Sequence, residues 1–277
     1  MTSLPRVLGI GAQKAGTSWL HENLKQNRYL WMPPFKEVHF FDHKFVPLNR
    51  KWTDWHLRNG LRHARERWES QGILNQRRTD WLSDVSKEPR FNGNWYKKIF
   101  SLCPEDRISV DITPEYSSIP AEGIEFASAF LGSDFKAIYI IREPVSRAMS
   151  QLRMNLKRKK LIPHSREDWL DLAMDDQVME RGNYISHVSR WQALRPTETL
   201  LFIPFGQIAN NPYDVMRQVE SFIGIPHAQY VNLENKVYAT DRFKIPEFVR
   251  DILEEVLHPQ TNFIKDRFGS KFYKDSI

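Results

Sequence analysis

Lys14 stands in the run Gly11-Ala12-Gln13-Lys14-Ala15-Gly16-Thr17-Ser18, a cation between two glycines and just ahead of two hydroxyls. That order of residue types suits an anion. Backbone N–H groups converge in a glycine turn, and a helix starting there adds the positive end of its dipole. A second candidate is Arg142, at the end of an apolar run, with Ser150 eight residues on. A guanidinium fork grips a phosphate well, and a serine two turns into a following helix can face the same side. The third is Lys36-Glu37-Val38-His39-Phe40-Phe41-Asp42. A hydroxyl attacking an electrophile must lose its proton, and Glu37 or His39 offers a base for it. The bland alternatives are a solvated loop lysine at 14, an arginine–carboxylate surface pair at 142, a surface pair at Lys36/Glu37, and a satisfied core histidine at 39.

The first loop departs from the P-loop of nucleotide triphosphatases, G-x-x-x-x-G-K-[S/T]. Gly11 and Gly16 keep its spacing, but Thr17 follows where the lysine belongs, and the lysine lies inside the loop at 14. A triphosphatase uses that lysine on the β- and γ-phosphates and the next hydroxyl on Mg²⁺. A loop without it suits a shorter phosphate chain.

The elements that must hold these groups are legible around them. Val7, Leu8 and Ile10 predict a buried strand feeding the loop, and Trp19-Leu20-His21-Glu22-Asn23-Leu24 has helical spacing. Lys136–Ile141, apolar and β-branched, predicts the strongest strand and delivers Arg142-Glu143-Pro144, with a helix from Val145. Shorter strands are predicted at 29–32, 108–113 and 199–204, and helices over 94–100, 167–180, 183–194 and 212–223. Pro246 opens a last helix with the stripe Val249, Ile252, Leu253, Val256 and Leu257. Residues 43–80 show weak helical spacing at Leu57, Leu61 and Ala64. The alternation predicts an α/β fold, a central parallel sheet with helices on both faces. Ligands then belong beyond strands 7–10 and 136–141.

Gln13–Leu20 resembles the 5′-phosphosulfate loop of sulfotransferases that use 3′-phosphoadenosine-5′-phosphosulfate (PAPS). Ile141–Ser150 is similar to that family's 3′-phosphate segment, and Lys36–Asp42 resembles its Lys-Glu-x-His-Phe-Phe segment. The similarity runs with gaps from Val7 to Gly269 and is nearest to the carbohydrate, heparan-sulfate-like branch. It implies a single P-loop-type domain over 1–277, with a helical acceptor-side insertion at 43–95. It further implies Lys14, Ala15, Gly16, Thr17, Ser18 and Trp19 along the 5′-phosphate, and Arg142 and Ser150 on the 3′-phosphate. Glu37 becomes the base, with Lys36 and His39 beside it, and Arg242 and Lys244 a basic loop over the nucleotide.

Asp111-Ile112-Thr113-Pro114-Glu115-Tyr116 matches a family stretch often reading Glu-Lys-Thr-Pro-x-Tyr, with Ile112 where many members carry lysine. That leaves the acceptor class open, and Asp111 and Glu115 read as structural. Arg181-Gly182-Asn183-Tyr184 resembles a Gly-x-Tyr helix start, with Tyr184 a candidate to face the adenine, and Arg153–Lys160 reads as a solvated basic helix face.

Bulk properties agree with one globular chain and an anionic partner. The 277 residues carry net charge +6, 41% hydrophobic residues and nine tryptophans. Cys103 is the only cysteine, so no intrachain disulfide and no cysteine-based zinc site can form. No signal-peptide pattern, membrane-length apolar run or nucleic-acid motif is present, so the expected setting is cytoplasmic with no nucleic-acid partner. The expectation is sulfuryl transfer from PAPS to a hydroxyl of a carbohydrate or small-molecule acceptor, leaving PAP (adenosine 3′,5′-diphosphate) and using no metal. The rivals are a P-loop kinase of small metabolites and a non-catalytic module binding anionic polymers.

Overall fold

The computed structural model describes residues 4–235 and 244–277. Five parallel strands form its centre: β1 (Val7–Gly11), β2 (Leu30–Trp31), β3 (Ile108–Ile112), β4 (Lys136–Ile141) and β5 (Leu200–Pro204), in the order β2-β3-β1-β4-β5. Every residue of β1, and all of β4 but Lys136, is buried, as expected of strands covered on both faces. Val7 pairs with Val110 on one side and Lys136 on the other. Gly9 is glycine for a packing reason: a Cβ there would lie 2.9 Å from the Ile112 side chain.

From β1 the chain crosses toward β2 at one edge, and from β4 toward β5 at the other. The carboxyl ends of β1 and β4 therefore flank the switch point where open α/β sheets bind ligands. The groups following them are the Lys14 loop and Arg142.

Helices fill the connections: α1 (Thr17–Leu24), α2 (Phe40–Phe45), α3 (Arg50–Ser70), α4 (Gln76–Ser86), α5 (Gly93–Ile99) and α6 (Ala121–Leu131). After β4 come α7 (Pro144–Lys159), α8 (Arg166–Ala173), α9 (Asp176–Glu180) and α10 (Tyr184–Leu194). After β5 follow α11 (Gly206–Asn210), α12 (Pro212–Ile223), α13 (Glu247–Val256), α14 (His258–Phe268) and α15 (Ser270–Asp275). The single helix expected over 167–180 is two, because Asp175 turns the chain and its side chain accepts from the Gln177 N–H, starting a new helix. Of the predicted stripe, Val249, Leu253 and Leu257 are buried together, Ile252 is partly buried and Val256 is exposed.

An aromatic cluster supports the acceptor-side helices. Phe40 stacks on Tyr96 with centroids 4.4 Å apart, and Phe126 and Phe130 close the group from α6. No helix among the described residues is long and apolar enough to cross a membrane.

Candidate active site

The loop after β1 is fixed by its own backbone and by the neighbouring strand. The Ala12 N–H donates to the Ile140 carbonyl at 2.8 Å and the Ala15 N–H to the Ala12 carbonyl at 3.1 Å. Lys14 takes a left-handed backbone (φ 69°), and so does Gly16 (φ 89°), the N-cap of α1. The two glycines serve close packing. A Cβ on Gly11 would lie 2.9 Å from the Tyr139 ring, and one on Gly16 2.7 Å from Ile208. Lys14, Gly16, Thr17, Ser18 and Trp19 border one large cleft, whereas Ala15 is fully buried beneath it. Trp19 is committed elsewhere: its indole N–H donates to the Leu233 carbonyl at 2.7 Å and ties segment 231–235 to α1. Burial first, then Arg158 and Arg142, bring the Lys14 ammonium down to about 8.

Arg142 lines the same cleft from the end of β4. Its guanidinium donates to the Lys14 carbonyl at 3.0 Å and sits 4.3 Å from the centre of the Phe205 ring. The arginine–carboxylate pair weighed for this position does not form. Glu143 caps α7 instead, accepting from the Val145 and Ser146 N–H groups at 2.9 and 2.7 Å. Ser150, on the second turn of α7, opens on the same cleft. Tyr184 does not face a base pocket: it is fully buried, and its hydroxyl donates to the Arg142 carbonyl at 2.9 Å.

The third group is built by an unusual backbone. Glu37 (φ 67°) and His39 (φ 55°) both adopt left-handed conformations, and the segment between them is pinned to the end of β3. The Val38 N–H donates to Thr113 Oγ1 at 3.0 Å, and the Phe40 N–H to the Tyr116 hydroxyl at 3.1 Å. Both hydroxyls in turn donate to buried Asp111, at 2.8 and 2.7 Å. The Asp111-x-Thr113-x-x-Tyr116 pattern is thus the scaffold that holds the carboxylate segment.

At its tip, Lys36 Nζ lies 2.5 Å from Glu37 Oε1 and 3.3 Å from Thr17 Oγ1, joining this segment to the phosphate loop. Behind Glu37 stands His39, whose Nε2 is 3.6 Å from Glu37 Oε2 and whose Nδ1 is 3.0 Å from Asp42 Oδ2. Burial alone would raise Glu37, but the Lys36 ammonium and then His39 hold it well below the usual carboxylate range. Burial alone would likewise favour a neutral His39 ring; Asp42 and then Glu37 hold it well above an ordinary histidine. The resulting order is ammonium, carboxylate, imidazolium, carboxylate. Asp42 was missed from sequence as a participant, although its three-residue spacing from His39 at a helix start was a usable signal.

Glu37, His39 and His56 bring ligand atoms within 4.8 Å of one another. Two of these groups already have other partners: Glu37 Oε1 meets the Lys36 ammonium at 2.5 Å and His39 Nδ1 meets Asp42 Oδ2 at 3.0 Å. The cleft itself encloses about 2900 Å³, beyond the roughly 300–1,000 Å³ of an ordinary small-ligand pocket. Trp52, Trp55 and His56 of α3 line the side away from Arg142, Trp55 with 64% exposure. Arg153 and Arg158 of α7 also line it, so the basic run of that helix is partly a cleft wall. Lys244 is exposed at its edge, and Arg242 lies outside the described residues.

The family model described as the sulfotransferase domain matches residues 4–251. The chain belongs to the sulfotransferase family. It is 26% identical over 155 residues to the Mus musculus heparan sulfate glucosamine 3-O-sulfotransferase 3A1, covering 51% of this chain and 39% of that protein. To the human bifunctional heparan sulfate N-deacetylase/N-sulfotransferase 3 it is 27% identical over 237 residues, covering 82% of this chain and 23% of that one. This sulfotransferase chain therefore spans well under two thirds of these curated relatives. Among solved structures, the sulfotransferase from Alicyclobacillus acidocaldarius superposes with a TM-score of 0.63 at 20% identity, covering 95% of this chain and 94% of that one. The sulfotransferase domain of the Synechococcus PCC 7002 olefin synthase gives 0.57 at 14% identity, covering 92% and 95%. These likenesses establish the shared fold.

Proposed function

We propose that the protein transfers the sulfuryl group of PAPS to a hydroxyl of a carbohydrate or small-molecule acceptor, releasing PAP. The observation that carries this reading is that Lys14 and Thr17, Arg142 and Ser150, and Lys36 and Glu37 all open on one cleft. Cations delivered by two different strand ends suit a nucleotide phosphorylated at both ends of its ribose, and a carboxylate on the same cleft suits a hydroxyl acceptor. PAPS supplies the activated sulfuryl group.

The residues then divide the work as follows. The α1 N-terminus, Thr17, Ser18 and Lys14 hold the 5′ end, and Lys14 compensates the charge that gathers on the departing phosphate. Arg142 and Ser150 hold the 3′-phosphate, the feature separating this donor from ordinary adenine nucleotides. Glu37, which lines the cleft, accepts the acceptor's proton on its carboxylate. His39, held by Asp42, fixes the carboxylate from behind. The kinase alternative fits less well, because Thr17 stands where a triphosphatase carries the lysine that serves its β- and γ-phosphates.

The helices of 43–95 form the acceptor side within a single domain. A cytoplasmic setting belongs to the same proposal and is in keeping with a sequence whose single cysteine allows no intrachain disulfide. The test is a screen of hydroxyl acceptors with radiolabelled PAPS, paired with calorimetric titration of PAP and ATP. Binding that prefers ATP, or ignores the 3′-phosphate, overturns the reading.

A further inference from the structure

This inference rests on the donor assignment above and concerns Glu115. Its side chain is 4% exposed, yet the residue borders the cleft. Oε1 accepts from the Gln13 amide at 2.9 Å and lies 3.4 Å from the Arg181 guanidinium, while Oε2 is buried with no hydrogen-bond partner. A carboxyl kept in the interior with half its capacity unused is poor economy for stability alone. What it touches explains it better.

Gln13 precedes Lys14 in the phosphate loop. Arg181 closes α9, three residues before Tyr184. The Tyr184 hydroxyl accepts from the Arg142 N–H at 3.2 Å and donates to the Arg142 carbonyl at 2.9 Å. Arg142 in turn donates to the Lys14 carbonyl at 3.0 Å. Joined by the chain from Gln13 to Lys14 and from Arg181 to Tyr184, these hydrogen bonds close a ring from Gln13 through Glu115, Arg181, Tyr184 and Arg142 back to Lys14. Gly182, between Arg181 and Tyr184, packs closely on buried Arg147: a Cβ there would lie 2.7 Å from its guanidinium.

We propose that Glu115 is a positioning residue that couples the two phosphate-binding halves of the site, fixing the Lys14 loop and Arg142 at the separation set by a nucleotide phosphorylated at both 5′ and 3′ positions. Either half alone can hold one phosphate. Only the spacing between them makes the second phosphate count, because simultaneous engagement depends on geometry held in advance. Glu115 touches the loop directly and reaches Arg142 through Arg181 and Tyr184, so it sets that spacing without meeting the nucleotide's 3′ end.

The test is calorimetric titration of PAP and of adenosine 5′-monophosphate into wild type, Glu115→Ala and Glu115→Gln, with melting curves for each. In Glu115→Ala the Kd for PAP rises about tenfold, the scale of one charge-assisted hydrogen bond, while that for the monophosphate stays within about twofold. Glu115→Gln keeps an acceptor for Gln13 but loses the charge facing Arg181, and falls between. Parallel loss for both nucleotides marks general damage to the loop and overturns the coupling role, as does unchanged PAP affinity. If the alanine variant does not fold, the glutamine variant decides on the same ratio. Wild type that binds both nucleotides alike sinks the donor assignment and this role with it. Wild type that prefers PAP, with variants that keep the preference, sinks the role of Glu115 alone.

Discussion

Asp42 Oδ2 lies 3.0 Å from His39 Nδ1, and neither side chain has meaningful contact with solvent. Asn49 donates to the same carboxylate oxygen at 2.9 Å, so Asp42 is held while it holds the ring. The pair gives Glu37 a fixed positive neighbour on the side away from the cleft.

Asp42→Asn removes the charge that keeps His39 protonated. Glu37 then loses its imidazolium partner, its carboxyl titrates nearer the ordinary glutamate range, and its aim loosens. In wild type Glu37 is held well below that range, so the acid limb of the kcat profile falls below about pH 4.5. In Asp42→Asn that limb moves upward, and turnover at neutral pH drops by about tenfold or more, within the 10²–10⁴ a positioned base contributes. Affinity for PAP stays the same. An unmoved limb in the pH profile of kcat would show that Asp42 merely packs.

The Lys14 ammonium titrates near 8 in the free protein, and an anionic donor binds its charged form. Below that pH the charge is in place and costs nothing further. Above it, each binding event must also take up a proton, so the Kd for PAP rises with pH by up to tenfold per unit. The measurement is titration from pH 7.5 to 9.5, where the phosphates are already fully ionised. Lys14→Arg stays charged throughout and flattens the slope. An equal slope in the arginine variant would assign the titration to another group.

The residues proposed to meet ligand were readable because their neighbours in sequence are their neighbours in space. The Lys14 loop follows directly from β1, and Arg142 follows directly from β4, so strand patterns located both. The supporting contacts were not readable in that way. Asp111 and Tyr116 hold segment 36–42 across more than seventy positions of sequence, and Glu115 meets Gln13 across 102. Single-sequence periodicity carries no information on such pairings. The left-handed residue at 37 was hidden for another reason: glutamate is not among the types, such as glycine, asparagine and histidine, that mark such backbone. Helix α6 went unread, although its buried positions Gly123, Ile124 and Ala127 fall on helical spacing.

Gly16→Ala tests what the loop glycines are for. Alanine at φ 89° carries strain of about 1–2 kcal/mol, and its Cβ would press on Ile208 at 2.7 Å, adding about 1–3 kcal/mol of overpacking. Together these cost about 2–5 kcal/mol and lower Tm by about 4–20 °C. Differential scanning calorimetry reads this without any ligand. A melt within about 2 °C of wild type would show that the helix start yields easily, and would leave phosphate approach as the reason for the glycine.

Arg142→Lys separates charge from shape. Lysine keeps the positive charge at the end of β4. It cannot present a planar fork that donates to the Lys14 carbonyl, lies against Phe205 and still offers N–H groups to a phosphate. The variant therefore loses grip on the 3′-phosphate and slackens the 5′ loop at once. Its Kd for PAP rises by about 10–100-fold, the range of one to two charge-assisted hydrogen bonds, and its preference for PAP over adenosine 5′-monophosphate shrinks toward unity. Ser150→Ala, which removes a hydroxyl but leaves the loop contact intact, weakens PAP by a smaller factor and leaves the monophosphate untouched. Lysine at 142 with wild-type affinity and wild-type preference would mean that the guanidinium serves the loop alone and that the 3′-phosphate is held by other groups.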